Sequence, residues 1–245
     1  NSYWLYTNLF SSLLLQNKDL YDQTINSIDV LNKKLNNKIF HCYHKANNEI
    51  DVFLEDYTYY ALLLITLYEI ENDQNALKKC TSIMENAWTL FFNKENNLMQ
   101  KNILNSNDLF TNPIDIADNN IQNGNSIYLL VCNKLKNITN QKTWSEKIDI
   151  LTKSYNSFIN YNFSQMFSYL KILDICEQNI TVSFHGKIKN NTELTKKVLL
   201  EFMGNASIIY NENDEDFFVV ICKNQTCSKK LTTLDQITEY IKTNL

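Results

Sequence analysis

The sequence predicts a mainly α protein, a partial α/α toroid of helical hairpins with a small C-terminal α/β appendage. Three observations predict it. Apolar residues recur at helical spacing in segments between residues 2 and 176, and these segments fall into successive pairs. One segment, residues 53–70, is apolar on two sides, and such a helix must be buried on two sides. From residue 179 the rhythm changes from helical to alternating. The division therefore runs between a helical portion, residues 1–178, and a small α/β subdomain, residues 179–245.

Residues 2–16 read as a helix with Trp4, Leu5, Leu9 and Leu13 directed inward, broken by Asn17-Lys18-Asp19. Residues 20–36 form a second amphipathic helix through Tyr21, Ile25, Ile28, Leu31 and Leu35. Residues 37–52, which hold Phe40, His41, Tyr43 and His44, are polar-broken and read as irregular or weakly β.

The central helix follows at 53–70, with Phe53, Leu54, Tyr57, Tyr60, Ala61, Leu64, Ile65 and Tyr68 on one face and Leu62, Leu63 and Leu67 on the other. Its first turn carries Glu55 and Asp56, where the helix dipole favours negative charge. Glu71-Asn72-Asp73 ends it, and 75–92 makes a one-sided helix through Leu77, Cys80, Ile83, Met84, Ala87, Leu90 and Phe91.

Residues 93–123 have no period and hold the only proline, Pro113. A loop of that length in a compact domain is usually functional or disordered. Helices are predicted again at 124–136, 144–161 and 163–176, the last with Met166, Phe167, Leu170 and Leu173 on its apolar side. The appendage reads as strand 180–184, helix 193–203, strands 206–210 and 217–222, and a closing helix at 234–245. A doubly buried helix followed by a one-sided one, repeated, suggests inner and outer members of a solenoid or a closed toroid, and we favour the toroid.

Composition narrows the function classes. The chain of 245 residues has a net charge of −4 and its basic residues are all Lys, so the planar fork that grips phosphate or guanine is missing. Nucleic acid is not an expected partner. No apolar run reaches the ~18 residues of a membrane span, so a membrane is not expected either. With only 3 Gly and 1 Pro, Asn is expected to supply the left-handed turn positions. The chain starts at Asn1 inside an aromatic, helix-like run, which suggests a piece of something longer. Six dispersed cysteines point to buried thiols in a reducing compartment, cytoplasmic or an organelle matrix. Cys222 and Cys227, with four residues between them, fit two reduced thiols, a disulfide or a shared metal.

Four landmarks in order point to one family: Phe53-Leu54-Glu55-Asp56-Tyr57, the segment Asp118 to Ser126 ending Gly124-Asn125-Ser126, Phe163-Ser164-Gln165-Met166, and Cys222-Lys223-Asn224-Gln225-Thr226-Cys227. On these the chain resembles the C-terminal region of thioredoxin-domain proteins of the YyaL and spermatogenesis-associated type. Their helical region is similar to the six-hairpin toroids of glycosidases and N-acylglucosamine 2-epimerases. Gln122-Asn123 replaces the Pro-Ser pair the family carries before Gly-Asn-Ser, and Asn120 stands where a small residue is usual. The resemblance implies a carbohydrate or small polar ligand, no cofactor, and a thioredoxin-like region or partner chain on the N-terminal side. The alternative it allows is a non-catalytic scaffold supporting that region.

The candidate catalytic residues are Glu55, Asp56 and Asp118, and the candidate binding residues are Tyr57, Asn125, Ser126 and Gln165. Adjacent acids on a helix diverge by ~100°, so Glu55 and Asp56 are not expected to face one substrate together. Either would need a distant partner, and Asp118 is the one the resemblance supplies. The structural reading of the same acids is dipole stabilisation and hydrogen bonding to loop amides. Asp118 with Gly124-Asn125-Ser126 either lines a polar pocket or forms a helix cap after a glycine turn. His41 and His44 are candidate metal ligands, but residues three apart on a strand face opposite sides, and no metal is expected. Tyr3, Trp4, Tyr57, Tyr59 and Tyr60 could stack on sugars, yet at helical spacing aromatic residues are more often core.

Overall fold

The computed structural model describes residues 1–35, 38–42, 52–104 and 113–245. It is mainly helical, with 64% of the described residues in helix and a small sheet toward the C-terminus. The helical part comprises α1 (Ser2–Leu14), α2 (Lys18–Leu35), α3 (Leu54–Glu71), α4 (Gln74–Phe91), α5 (Gly124–Thr139), α6 (Lys142–Asn162) and α7 (Phe167–Gln178). No helix among the described residues is long and apolar enough to cross a membrane.

The two-sided pattern of α3 has the expected consequence: every residue from Thr58 to Glu69 is buried. It packs against α1, α4 and α5. Truncating a wholly enclosed leucine such as Leu63 to alanine would cost about 2–5 kcal/mol, because its neighbours cannot close the cavity. The outer partner α4 buries one stripe only, through Ala76, Cys80, Ile83, Met84, Ala87 and Phe91. The scheme repeats. All residues of α5 from Gly124 to Leu135 are buried, whereas α6 buries Trp144, Ile148, Leu151 and Tyr155 at a helical interval.

Asparagine ends the helices as its abundance implies. Asn72, Asn140 and Asn179 cap α3, α5 and α7 in the left-handed conformation. Among the described residues, five of the seven non-glycine positions with positive φ are Asn, so these turns need no glycine.

The α/β part has its own buried cluster, centred on Val182, Phe184, Val198, Ile208, Val219, Ile221 and Ile237. Strand β3 (Ile180–Gly186) runs parallel to β4 (Ser207–Glu212), with α8 (Thr192–Phe202) as the crossover. It pairs antiparallel with β5 (Phe218–Lys223), and β5 continues through a tight turn into β6 (Thr226–Cys227). Helix α9 (Leu234–Asn244) closes the chain. Burial alternates along β3 as its period-two sequence requires.

Some expectations change. In α1 Leu5 and Leu9 face inward as expected, joined by Ser12, but Trp4 is 61% exposed. The helix expected at 163–176 divides at Met166 into a 3₁₀ turn, Phe163–Gln165, and α7. Burying Met166, Tyr169, Ile172 and Ile175 leaves Phe167 66% exposed instead of inward. Within the aperiodic stretch a minimal antiparallel pair, β1 (Phe92–Asn93) with β2 (Leu98–Met99), anchors the loop by burying Leu98 and Met99. Tyr43 and His44 lie outside the described residues.

Candidate functional site

The N-terminal ends of α3 and α5 meet at Gly124. A β-carbon there would lie 3.2 Å from Leu54 Cγ and 3.3 Å from both Glu55 Cγ and Glu55 N, so a larger residue would crowd the two helix ends. The loop segments fold over this junction. Leu54 N–H donates to Lys101 O (2.9 Å), Lys101 N–H to Pro113 O (2.9 Å), and Phe53 bridges Asn102.

Asn125 fastens the same layers. Buried at 1% exposure, it donates through Nδ2 to Met99 O (3.1 Å) and Asp115 O (3.0 Å). Asn123 caps α5 by accepting from Ser126 N–H (2.9 Å), and its own amide reaches Ile116 O and Asp118 Oδ1. Ser126 is buried, and its Oγ has no hydrogen-bond partner.

Asp118 is the tie between α5 and α7. Its Oδ1 accepts from Asn123 N–H (3.1 Å) and Asn123 Nδ2 (2.9 Å), and its Oδ2 accepts from Ser168 N–H (2.7 Å). Its backbone N–H donates to Gln165 O (2.6 Å), so Gln165 takes part through its main chain while its side chain is exposed. Asp118 and Gln165 do not line the cavity at Glu55. Tyr57 turns elsewhere, packing edge-on against Phe91 at 5.4 Å and lining a separate cavity.

That leaves Glu55 and Asp56 with residues the sequence did not place beside them. A cavity of about 300 Å³ lies over the start of α3, walled by His41, Phe53, Glu55, Asp56, Lys101 and Asp115 among others. The adjacent acids do line one cavity, against the angular expectation. Asp56 folds back over the helix end, where its Oδ2 accepts from Phe53 N–H (2.8 Å), so the cavity sits across the tip of the helix and not along its side. Both Asp56 oxygens lie 3.1 Å from His41 Nδ1, and the His41 ring meets Phe53 edge-on.

Lys101 Nζ is 2.8 Å from Asp115 Oδ2, and the carboxylate raises the pKa of the lysine. Glu55 differs from these partnered groups. Its Oε2 is buried with no hydrogen-bond partner. Burial is the largest influence on its carboxyl and pushes its pKa up; its own backbone N–H and Lys101 oppose the rise, and Asp115 and Asp56 add to it. The site therefore holds one carboxyl biased toward its neutral form beside an ion pair and a capped carboxylate. Such a group can donate a hydrogen bond or a proton where its neighbours accept.

Asp115 and Lys101 escaped sequence reasoning, and His41 entered it only as a metal candidate. The one available signal was the long aperiodic segment that carries both Lys101 and Asp115. Among the described residues no group of three or more His, Cys, Asp or Glu is arranged to hold a metal ion.

Cys222 and Cys227 form a disulfide, one of the three arrangements their spacing left open. They are directly paired across β5 and β6, and Asn224 and Gln225 both take positive φ in the turn between them. That turn geometry brings the two chains face to face over two intervening turn residues. Cys80 and Cys132 are buried free thiols, as expected of cysteines in helical stripes, and Cys42 is an exposed one.

No family model matches the chain, and no curated protein matches it either. Fold and site together describe a mainly helical protein whose neighbouring buried helices open at their N-terminal ends onto a small cavity that Glu55, Asp56, Lys101 and Asp115 line.

Proposed function

We propose that the chain is part of an α/α toroid of the YyaL and spermatogenesis-associated type, and that its Glu55 cavity binds a carbohydrate. The repeated hairpins support the toroid reading: α3 with α4 and α5 with α6 each join a fully buried helix to a one-sided one. The two inner helices begin at the same end, at Gly124, as successive hairpins around a ring would.

The observation that carries the ligand reading is the buried, unpartnered Oε2 of Glu55. A buried polar atom without a partner is costly, and a ligand hydroxyl would satisfy it. Sugars present donors and acceptors around a ring with apolar C–H faces. The cavity offers the Glu55 carboxyl, whose pKa burial raises, the Asp115 carboxylate, the Lys101 ammonium and the ring of Phe53. At about 300 Å³ it stands at the small end of ligand pockets, which suits a single ring. Glycosidic chemistry needs a neutral acid and an ionised companion on either side of the bond. Glu55, whose pKa burial raises, is our candidate for the acid, and Asp115, beside it in the cavity, for its companion.

The test is isothermal titration with a panel of monosaccharides and amino sugars, repeated on Glu55→Gln. Saturable binding that weakens in the variant supports the reading. A folded protein that binds no member of the panel would remove it.

A second reading, a non-catalytic scaffold beside a thioredoxin-like region, is favoured by Asp56 and Asp118, whose carboxylates serve to cap backbone N–H groups. The compartment we propose is the cytoplasm or an organelle matrix, which the free thiols of Cys80 and Cys132 favour and the Cys222–Cys227 disulfide opposes.

A further inference from the structure

A second cavity, of about 340 Å³, lies where the end of α2 meets α3 and α4. Among the described residues its walls share none with the Glu55 cavity, and they carry Lys79 and no carboxylate. Leu35, Ile39, Ile83 and the Tyr57 ring supply an apolar wall. The exposed Ser82 and Asn86 stand at its rim.

Lys79 is the residue that decides its chemistry. The ammonium lies 5.1 Å from the centroid of the Tyr60 ring and 3.4 Å from Asn32 Oδ1. The same Asn32 oxygen also accepts from Tyr60 Oη, so one neutral amide dipole serves two donors. Among the described residues no carboxylate forms an ion pair with Lys79. Burial lowers the pKa of this lysine, which reflects the cost of holding a cation there without a counter-charge. An anion entering the cavity would offset that cost, and the apolar wall beside it would cover a hydrophobic body.

We propose that this cavity binds a small amphipathic anion, a carboxylate or phosphate group carried on an apolar body, with Lys79 as its charge partner. The head group would meet Lys79 and the rim donors, while the body packs between Tyr57 and Ile83. The weak neutral contacts of Lys79 would give way to a charge-assisted hydrogen bond.

The experiment is isothermal titration of the chain with phenyl phosphate and benzoate. Inorganic phosphate and acetate serve as head-only probes, and benzyl alcohol as a body-only probe. Both aromatic anions, or one of them, are expected to bind more tightly than either half alone, and the stronger of the two identifies the head group. Lys79→Met is expected to weaken that binding about tenfold or more, the loss of one charged hydrogen bond. Lys79→Arg, which keeps the charge, should weaken it far less. Raising salt from about 0.05 M to about 0.5 M should also weaken binding in the unaltered chain, a readout that needs no variant to fold. The proposal is overturned if no aromatic anion binds, if Lys79→Met binds as tightly as the parent, or if the head-only probes match the aromatic ones.

Discussion

Lys134 Nζ lies 2.6 Å from Glu69 Oε1, and each of these two side chains is only 4% exposed. Lys134 also donates to Ala206 O (2.7 Å), and Glu69 accepts at Oε1 from Ile208 N–H (3.4 Å). Tyr210 Oη donates to the backbone carbonyl of Glu69 (2.6 Å). One buried ion pair thus joins α3, α5 and the start of β4, the place where the helical and α/β cores touch. Burial pushes the Glu69 carboxyl up, and the lysine ammonium opposes the rise.

Removing one partner strands the other charge in a dry site. Lys134→Met is expected to destabilise the chain by about 3–5 kcal/mol in urea unfolding. The double variant Glu69→Leu with Lys134→Met should recover most of that loss, because it leaves no buried charge uncompensated. A double variant as unstable as the single one would show that the backbone contacts, not the charge, carry the effect.

Glu55 gives a pH-dependent expectation. Its pKa in the folded chain is raised above the ordinary 4.5, so between those values the folded state holds more protons than the unfolded one. Stability contributed at this site is present at low pH and falls as pH rises through that window. Glu55→Gln removes the titration, so the variant should melt above the parent at pH 7.5 and converge with it toward pH 4. A variant less stable than the parent at pH 7.5 would show that the charged form has an effective partner.

Asp118 is expected to behave as a fastener. Asp118→Ala strands Asn123 N–H and Ser168 N–H, and should lower stability by about 2 kcal/mol or more, measured by thermal unfolding. Any ligand found at Glu55 should bind Asp118→Asn within about threefold of the parent, well under 1 kcal/mol. A large loss of binding with an unchanged melting temperature would restore Asp118 to the site.

The Cys222–Cys227 bridge spans a sequence separation of only 5, so it withdraws little freedom from the unfolded chain. Replacing both cysteines by Ser should cost about 2 kcal/mol at most. Hydrogen exchange should quicken around β5 and β6 while the helices keep their protection. Mass spectrometry of the untreated chain should show two hydrogens fewer than after reduction.

The appended strands, the helical hairpins and the asparagine caps were all legible in the sequence, because each depends on spacing or on backbone preference within a few residues. The two-sided apolar run of α3 announced an inner helix, and the one-sided run of α4 announced its cover. Periodicity could not fix which face of a weakly amphipathic helix turns inward. In α1 and α7 apolar residues fall on more than one side, so packing against neighbours put Trp4 and Phe167 outside.

The sequence by itself determined the secondary structure, its order and the presence of paired acids at the mouth of a buried helix. Only the tertiary structure decided what those acids do. It folds Asp56 back as a cap, ties Asp118 to two helix ends, and leaves Glu55 Oε2 without a partner beside Lys101 and Asp115. It also closes the bond between Cys222 and Cys227. Local periodicity follows from the geometry of a single element. A site forms where loops distant in sequence converge, and their convergence is set by packing across the whole core.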